Sequence, residues 1–284
     1  MDVVHDNLPT SDVANGDTMS LSMPQDDKFG KSVQWGLVGS ELYGYYTTTA
    51  DPPVAWIQAT LDIIGDRKLK HVCMPGSHDA GMSKIDGKTP AASVDNTQTQ
   101  FLDIYPQAVR GTRWFDIRPC LGNGGAQMLC HYGNVLWTSQ GANGQSAQEA
   151  IYNVNAFMRD HPGELLILDI NDEAGFDTDH RDGTAYPRLT KEQWAPIMDR
   201  FKSGIERPCR KKGSDLTNVS MYDFIGDGVG CVVSIIRNID YTLFTSEGQY
   251  PYNALGQYNS YSETDVIRNM ASQNCYVGGG SLTD

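Results

Sequence analysis

A chain of 284 residues, 39% hydrophobic and 20% charged, carries enough apolar material for a sizeable core, so most of it is expected to be globular. Its 35 acidic and 22 basic residues give a formal net charge of −13, which repels phosphate backbones and excludes general nucleic-acid binding and polybasic docking to anionic membranes. No apolar run approaches the roughly 20 residues of a membrane span.

Met1 to Asp26 holds five Asp and no Lys or Arg, and shows no signal-peptide pattern. The first thirty or so residues read as a polar tail. Val33 to Thr49 turns aromatic and Gly-rich, consistent with a small hairpin, and Asp51-Pro52-Pro53 is a natural boundary. The expected division is a tail with a hairpin over 1–54 and one domain over 55–284.

Five short runs then read as strands: Lys70 to Met74, Arg113 to Arg118, Gln127 to Tyr132, Leu165 to Ile170 and Gly230 to Ile236. Helices lie between and after them. Ser146 with Glu149 forms a capping box ahead of Ile151, Val154 and Met158, and His161-Pro162-Gly163 ends that helix. Thr190 with Gln193 opens a second helix carrying Trp194, Ile197, Met198 and Phe201. Ser262 to Gln273 is a third. Alternating strands and helices predict an α/β architecture with parallel pairing, and in a β/α barrel the strand ends carry the chemistry. His78, Arg118, His131, Asn171 and Arg237 all fall at such ends.

The six cysteines include no C-x-x-C pair, which argues against a zinc cluster. Cys120 and Cys130 flank a Gly-rich turn, where a disulfide across neighbouring strands and two buried free thiols are both open. Asn218-Val219-Ser220 is a lone glycosylation sequon. The compartment stays open, with a secreted or extracellular setting slightly favoured.

Three segments carry titratable groups suited to proton transfer. In Met74-Pro75-Gly76-Ser77-His78-Asp79 a strand runs through a turn into adjacent His and Asp. In Gly111-Thr112-Arg113-Trp114-Phe115-Asp116-Ile117-Arg118, strand alternation sets Trp114, Asp116 and Arg118 on one face. In Cys130-His131-Tyr132-Gly133 a second His follows a strand. A structural His or an ion pair accounts for any one of these alone. Two imidazoles and a guanidinium together provide a base, an acid and a phosphate ligand.

In this order the motifs, with Gly163-Glu164-Leu165-Leu166-Ile167-Leu168-Asp169-Ile170, resemble the X region of phosphatidylinositol-specific phospholipase C, over roughly Trp56 to Arg237. The resemblance implies a distorted TIM-type β/α barrel and a phosphoric diester hydrolase that cleaves the glycerol–phosphate bond. It implies His78 as general base, His131 as general acid, Asp79 supporting the acid, Arg118 on the phosphate and Asp116 beside it. Arg118 stands where the calcium-dependent relatives use the metal, so no cofactor is implied. A weak calcium site near Asp169 or Asp172 stays open. Asn171 and Arg237 fall near substrate-contacting positions, and a salt-bridge role suits Arg237 equally. The implied partners are a phosphoinositide or related phosphodiester lipid and a transient membrane surface.

Two departures stand out. Tyr132 separates His131 from Gly133, so a bulge is needed to restore the acid. No strand is expected after Ile236, and about 230 residues fall short of the about 250 of a full barrel, so the barrel looks incomplete at its C-terminal end. A catalytically impaired barrel that binds a phosphorylated ligand or lipid headgroup is the alternative.

Overall fold

A computed structural model describes residues 36–40, 44–48, 54–72, 74–135, 138–171, 189–211, 216–237 and 248–251. The chain divides into two compact units, Met1–Pro53 and Val54–Asp284. In the first, β1 (Gly36–Ser40) pairs antiparallel with β2 (Gly44–Thr48).

The second unit opens with short helices α1 (Trp56–Ala59) and α2 (Leu61–Ile64), then β3 (Gly76–Ser77), β4 (Gly87–Lys88), α3 (Val94–Thr97) and α4 (Ile104–Val109). There follow β5 (Trp114–Ile117), β6 (Pro119–Leu121), β7 (Gln127–Val135) and β8 (Thr138–Ser146). The rest comprises α5 (Ala147–Asp160), β9 (Leu166–Ile170), α6 (Lys191–Gly204), α7 (Met221–Phe224), β10 (Val232–Ile236) and β11 (Gln249–Pro251). No described helix is long and apolar enough to cross a membrane.

Among the described residues, five parallel strands form one sheet in the order β11-β10-β9-β5-β3. Every residue of β5, β9 and β10 is buried, because both sheet faces are covered. Phe115, Ile117, Leu166, Leu168, Ile170 and Val232 pack in a cluster with the apolar faces of α4, α5 and α6. On the other side Trp114, Ile167, Val233, Ile235 and Tyr250 pack with Ile57, Ile64, Met221 and Phe224. Both expected capping boxes form: Ser146 and Glu149 exchange hydrogen bonds at the start of α5, and Thr190 and Gln193 at the start of α6.

Three expectations are corrected and one open question is settled. The run Lys70 to Met74 is not a strand, because Leu69–His71 makes a tight turn whose N–H groups go to Val219 and Thr217 carbonyls. Pairing begins only at Gly76, after Pro75, which has no N–H to give a ladder. Gln127 to Tyr132 is a strand but lies outside the parallel sheet. Its β7 belongs to a four-stranded antiparallel sheet ordered β4-β8-β7-β6, because Gly124 and Gly125, at φ 66° and 78°, fold the chain straight back from β6. A strand does follow Ile236: β11 lies parallel to β10, with the Tyr250 hydroxyl donating to the Lys211 carbonyl at 2.8 Å. Cys120 and Cys130 are buried free thiols and not a disulfide. The expected helix from Ser262 to Gln273 lies outside the described residues.

A buried ion pair joins the layers at the start of β5. Arg113 and Glu164 are both fully buried, with Arg113 Nε donating to Glu164 Oε2 at 2.7 Å. The same guanidinium donates to the Ala108 and Thr112 carbonyls, at 2.8 and 2.9 Å, and lies over the Trp56 and Phe157 rings. Glu164 in turn accepts the Gln58 N–H of α1 at 2.9 Å. Removing one partner strands a buried charge. Glu164→Ala should therefore cost about 3–5 kcal/mol in a urea titration. A loss below about 1 kcal/mol, typical of exposed pairs, would refute this role.

Candidate active site

Four parallel strands deliver polar residues at their C-terminal ends. His78 follows β3, Arg118 follows β5, Asn171 follows β9 and Arg237 follows β10. On one sheet face the lower positions Trp114, Ile167 and Val233 are apolar, and the next ones up are Asp116, Asp169 and Ile235. Asp116 sits directly beside Asp169 in the β5–β9 register.

His78 and Asp79 lie on the turn that leaves β3. Asp79 has φ 44°, in the left-handed region that non-glycine residues enter at a cost. Its N–H donates to Asp116 Oδ2 at 3.2 Å, and the Ala80 N–H donates to the Asp116 carbonyl at 2.9 Å. The reversed turn sends the Asp79 carboxylate inward, where it is fully buried.

Arg118 spans both carboxylates. Its Nε lies 2.7 Å from Asp79 Oδ1 and donates to Asp116 Oδ2 at 3.0 Å, while Nη2 is 2.8 Å from Asp116 Oδ2. The same Nη2 lies 3.0 Å from His78 Nε2. A guanidinium has no lone pair to offer, so this contact is a hydrogen bond only in the neutral tautomer with the His78 proton on Nδ1 and Nε2 accepting. Burial lowers the His78 pKa; Asp79 and Asp116 push it up, while Arg118 and His131 push it further down.

His131 reaches this cluster from the other sheet. Its Nδ1 lies 2.7 Å from Asp79 Oδ2, which is also 3.3 Å from His78 Nε2. The two imidazoles stand 6.0 Å apart at 74°. The contacts of Asp79 are ionic in reach but not aligned as hydrogen bonds, so this buried carboxylate is held by the surrounding positive charge.

Pairing runs regularly from Cys130 to Val135, so no bulge falls at Tyr132, and the one register shift lies earlier, between Met128 and Cys130. Cys130 and Tyr132 turn to a small buried cluster with Cys120 and Met128, where the Tyr132 hydroxyl donates to Asn143 Oδ1 at 2.9 Å. His131 between them points the opposite way, toward Asp79. Two glycines allow the approach. A Cβ on Gly81 would sit 2.4 Å from Leu129 Cδ1, and one on Gly141 2.1 Å from the His131 carbonyl.

Arg237 is engaged by Asp169, Nε to Oδ1 at 2.6 Å with Nη2 on the other oxygen, so the salt-bridge role is present. Trp114 Nε1 also donates to Asp169, at 3.3 Å, and burial raises the Asp169 pKa against these contacts. Asn171 is anchored through its N–H on the Ile117 carbonyl at 2.9 Å and lies beside Arg237 at the strand ends. Asp172 lies outside the described residues.

His78, Asp79 and Asp116 offer ligand atoms within 4.8 Å of one another, a spacing a cation can bridge. Arg118 is interleaved among the same atoms and already provides positive charge there. Sequence reasoning passed over Thr99, Gln100 and Gln107, which hydrogen-bond the His78 turn from outside. Their only signal was an unremarkable polar stretch.

PI-PLC X domain-containing protein 2 of Homo sapiens is 24% identical over 145 residues, covering 44% of this chain and 45% of that protein. PI-PLC X domain-containing protein 1 of Homo sapiens is 21% identical over 145 residues, covering 44% and 43%. The chain thus spans under half the length of these curated relatives. Among solved structures, a phosphatidylinositol-specific phospholipase C of Staphylococcus aureus aligns at TM-score 0.48 and 16% identity, covering 72% of this chain and 59% of that one. The enzyme from Listeria monocytogenes aligns at TM-score 0.41 and 15% identity, covering 66% and 68%. No protein-family model matches the chain. The chain is thus distantly similar to PI-PLC X domain-containing proteins over somewhat under half of its length.

Proposed function

We propose that this site cleaves phosphatidylinositol or a related inositol phospholipid by intramolecular phosphoryl transfer. One observation carries the reading: two imidazoles 6.0 Å apart share the buried Asp79 carboxylate, with the Arg118 guanidinium beside them. That is a base, an acid and a fixed phosphate ligand in one place.

A phosphate oxygen entering the site competes for Arg118 Nη2 and draws it from His78. The freed Nε2 lone pair takes the proton of the inositol 2-hydroxyl. The resulting oxygen attacks phosphorus, and the bond from phosphorus to the glycerol oxygen breaks. His131, protonated with Nδ1 2.7 Å from the Asp79 carboxylate, gives its Nε2 proton to that leaving oxygen. The products are diacylglycerol and a 1,2-cyclic inositol phosphate, with no water consumed. Asp116 keeps Arg118 and the His78 turn in register. Arg237 and Asn171, at the adjoining strand ends, line the place for the inositol ring. With a net charge of −13, capture of an anionic lipid at the membrane surface rests on the Arg118 and Arg237 guanidinium groups at the strand ends and not on the surface at large.

Incubated with phosphatidylinositol vesicles, the protein should release a cyclic phosphodiester as first product, followed by phosphorus NMR. Direct appearance of the open monophosphate would contradict cyclisation. Headgroup binding with no turnover would establish the non-catalytic alternative.

The pH profile gives a second check. His78 must be neutral to act as base, and its pKa is lowered, chiefly by burial. The base form therefore persists below the ordinary imidazole value of about 6.5 and is lost only as pH falls further. The acid limb of kcat/KM should have its midpoint below about 6.5. A midpoint above that value would exclude His78 as the base.

A further inference from the structure

The turn that carries His78 and Asp79 is strained, yet it places both groups that the proposed chemistry needs. Its own backbone bonds are few: the Met82 N–H reaches the Asp79 carbonyl at 2.9 Å, and the Ala80 N–H goes to Asp116. Three consecutive carbonyls of the turn are instead capped by side chains from one segment. Gln100 Nε2 donates to the His78 carbonyl at 2.7 Å. Thr99 Oγ1 lies 3.2 Å from the Asp79 carbonyl and 3.4 Å from that of His78. Gln107 Nε2, buried on α4, donates to the Ala80 carbonyl at 2.9 Å.

The capping segment is itself fixed. Gln107 Oε1 accepts the Ser77 hydroxyl at 2.6 Å, so Gln107 grips the chain on both sides of His78 and Asp79. Gln107 Nε2 also donates to the Leu102 carbonyl at 2.6 Å. The Gln100 N–H reaches the Met82 carbonyl at 3.2 Å, and Gln98 Nε2 reaches that of Ser83 at 2.7 Å. Such a set of bonds does more than satisfy buried carbonyls. It opposes relaxation of Asp79 from φ 44°, which would swing its carboxylate away from His131 and Arg118.

We infer that Thr99, Gln100 and Gln107 are positioning residues that hold the His78–Asp79 turn in its reactive conformation. The inference rests on the phosphodiesterase reading for its kinetic arm and on the geometry alone for its spectroscopic arm. A displacement near 1 Å in a reacting group costs on the order of 10²-fold in rate.

The test uses the full chain carrying Thr99→Val with Gln100→Ala, both at half-buried positions. On phosphatidylinositol vesicles kcat should fall by on the order of 10-fold to 10²-fold with KM nearly unchanged, and Thr99→Ser should keep the activity that Thr99→Val loses. In histidine-labelled protein without substrate, the His78 and His131 imidazole resonances should shift or broaden while those of His71 and His161 stay in place. Gln107→Met is the variant most at risk of unfolding and is read only by the same resonances, once a native thermal transition is seen. Unchanged kcat, or unchanged His78 and His131 resonances in the folded double variant, overturns the inference. Should wild-type protein turn over no inositol phospholipid, the phosphodiesterase reading fails, and the resonances alone decide the clamp.

Discussion

The structure turns on buried negative charge. Asp79, Asp116 and Asp169 carry nearly inaccessible side chains at one end of the parallel sheet. Each carboxylate removed from water costs several kcal/mol unless matched. Arg118 forks between two of them with its single positive charge, and Arg237 pairs with the third. A planar guanidinium can fork between Asp79 and Asp116 and still present Nη2 to His78; an ammonium, a point charge, cannot hold all three directions. The site's electrostatics thus follow from a folding requirement, and the guanidinium that bridges the two acids is the one that would meet a phosphate.

Two sheets of different kind meet at Asp79. The parallel sheet, buried on both faces, fixes His78, Asp116 and Arg118 on neighbouring strands. The antiparallel sheet brings His131, with the Cys130 N–H donating to the Arg118 carbonyl at 2.9 Å to tie β7 to the end of β5. His78 is set by a turn and His131 by a strand, so the two imidazoles approach the same carboxylate from independent elements. Both lie near Asp79 Oδ2, but only His78 also meets the Arg118 guanidinium, at 3.0 Å, while His131 sits closer to the carboxylate, at 2.7 Å. On the proposed reading, that difference in surroundings is what would separate a base from an acid without any difference in residue type.

Much of this was legible in the sequence where physics is local. Continuous apolar runs marked β9 and β10, and Ser146–Glu149 and Thr190–Gln193 marked helix starts, since caps are written in three or four residues. Alternation set Asp116 and Arg118 together. Legibility ended where pairing is long-range. β8, Thr138–Ser146, is Gly-rich and polar and gives no strand signal; it is a strand because β7 lies beside it. The two-residue β3 is too short to show a period, which led to a strand being expected at Lys70 to Met74. The chain from Gln98 to Gln107 looked like ordinary polar loop, because carbonyl capping across 20 or more residues leaves no spacing rule.

The central claim is that His78 and His131 have opposite proton roles, and leaving-group chemistry separates them. Turnover by His78→Ala and His131→Ala is compared on phosphatidylinositol and on an inositol phosphodiester whose leaving group is a nitrophenol, which departs without protonation. His131→Ala should lose on the order of 10²-fold on the lipid and recover most of it on the nitrophenyl ester, while His78→Ala stays impaired on both. Equal losses for the two variants on both substrates would contradict the assignment of acid and base.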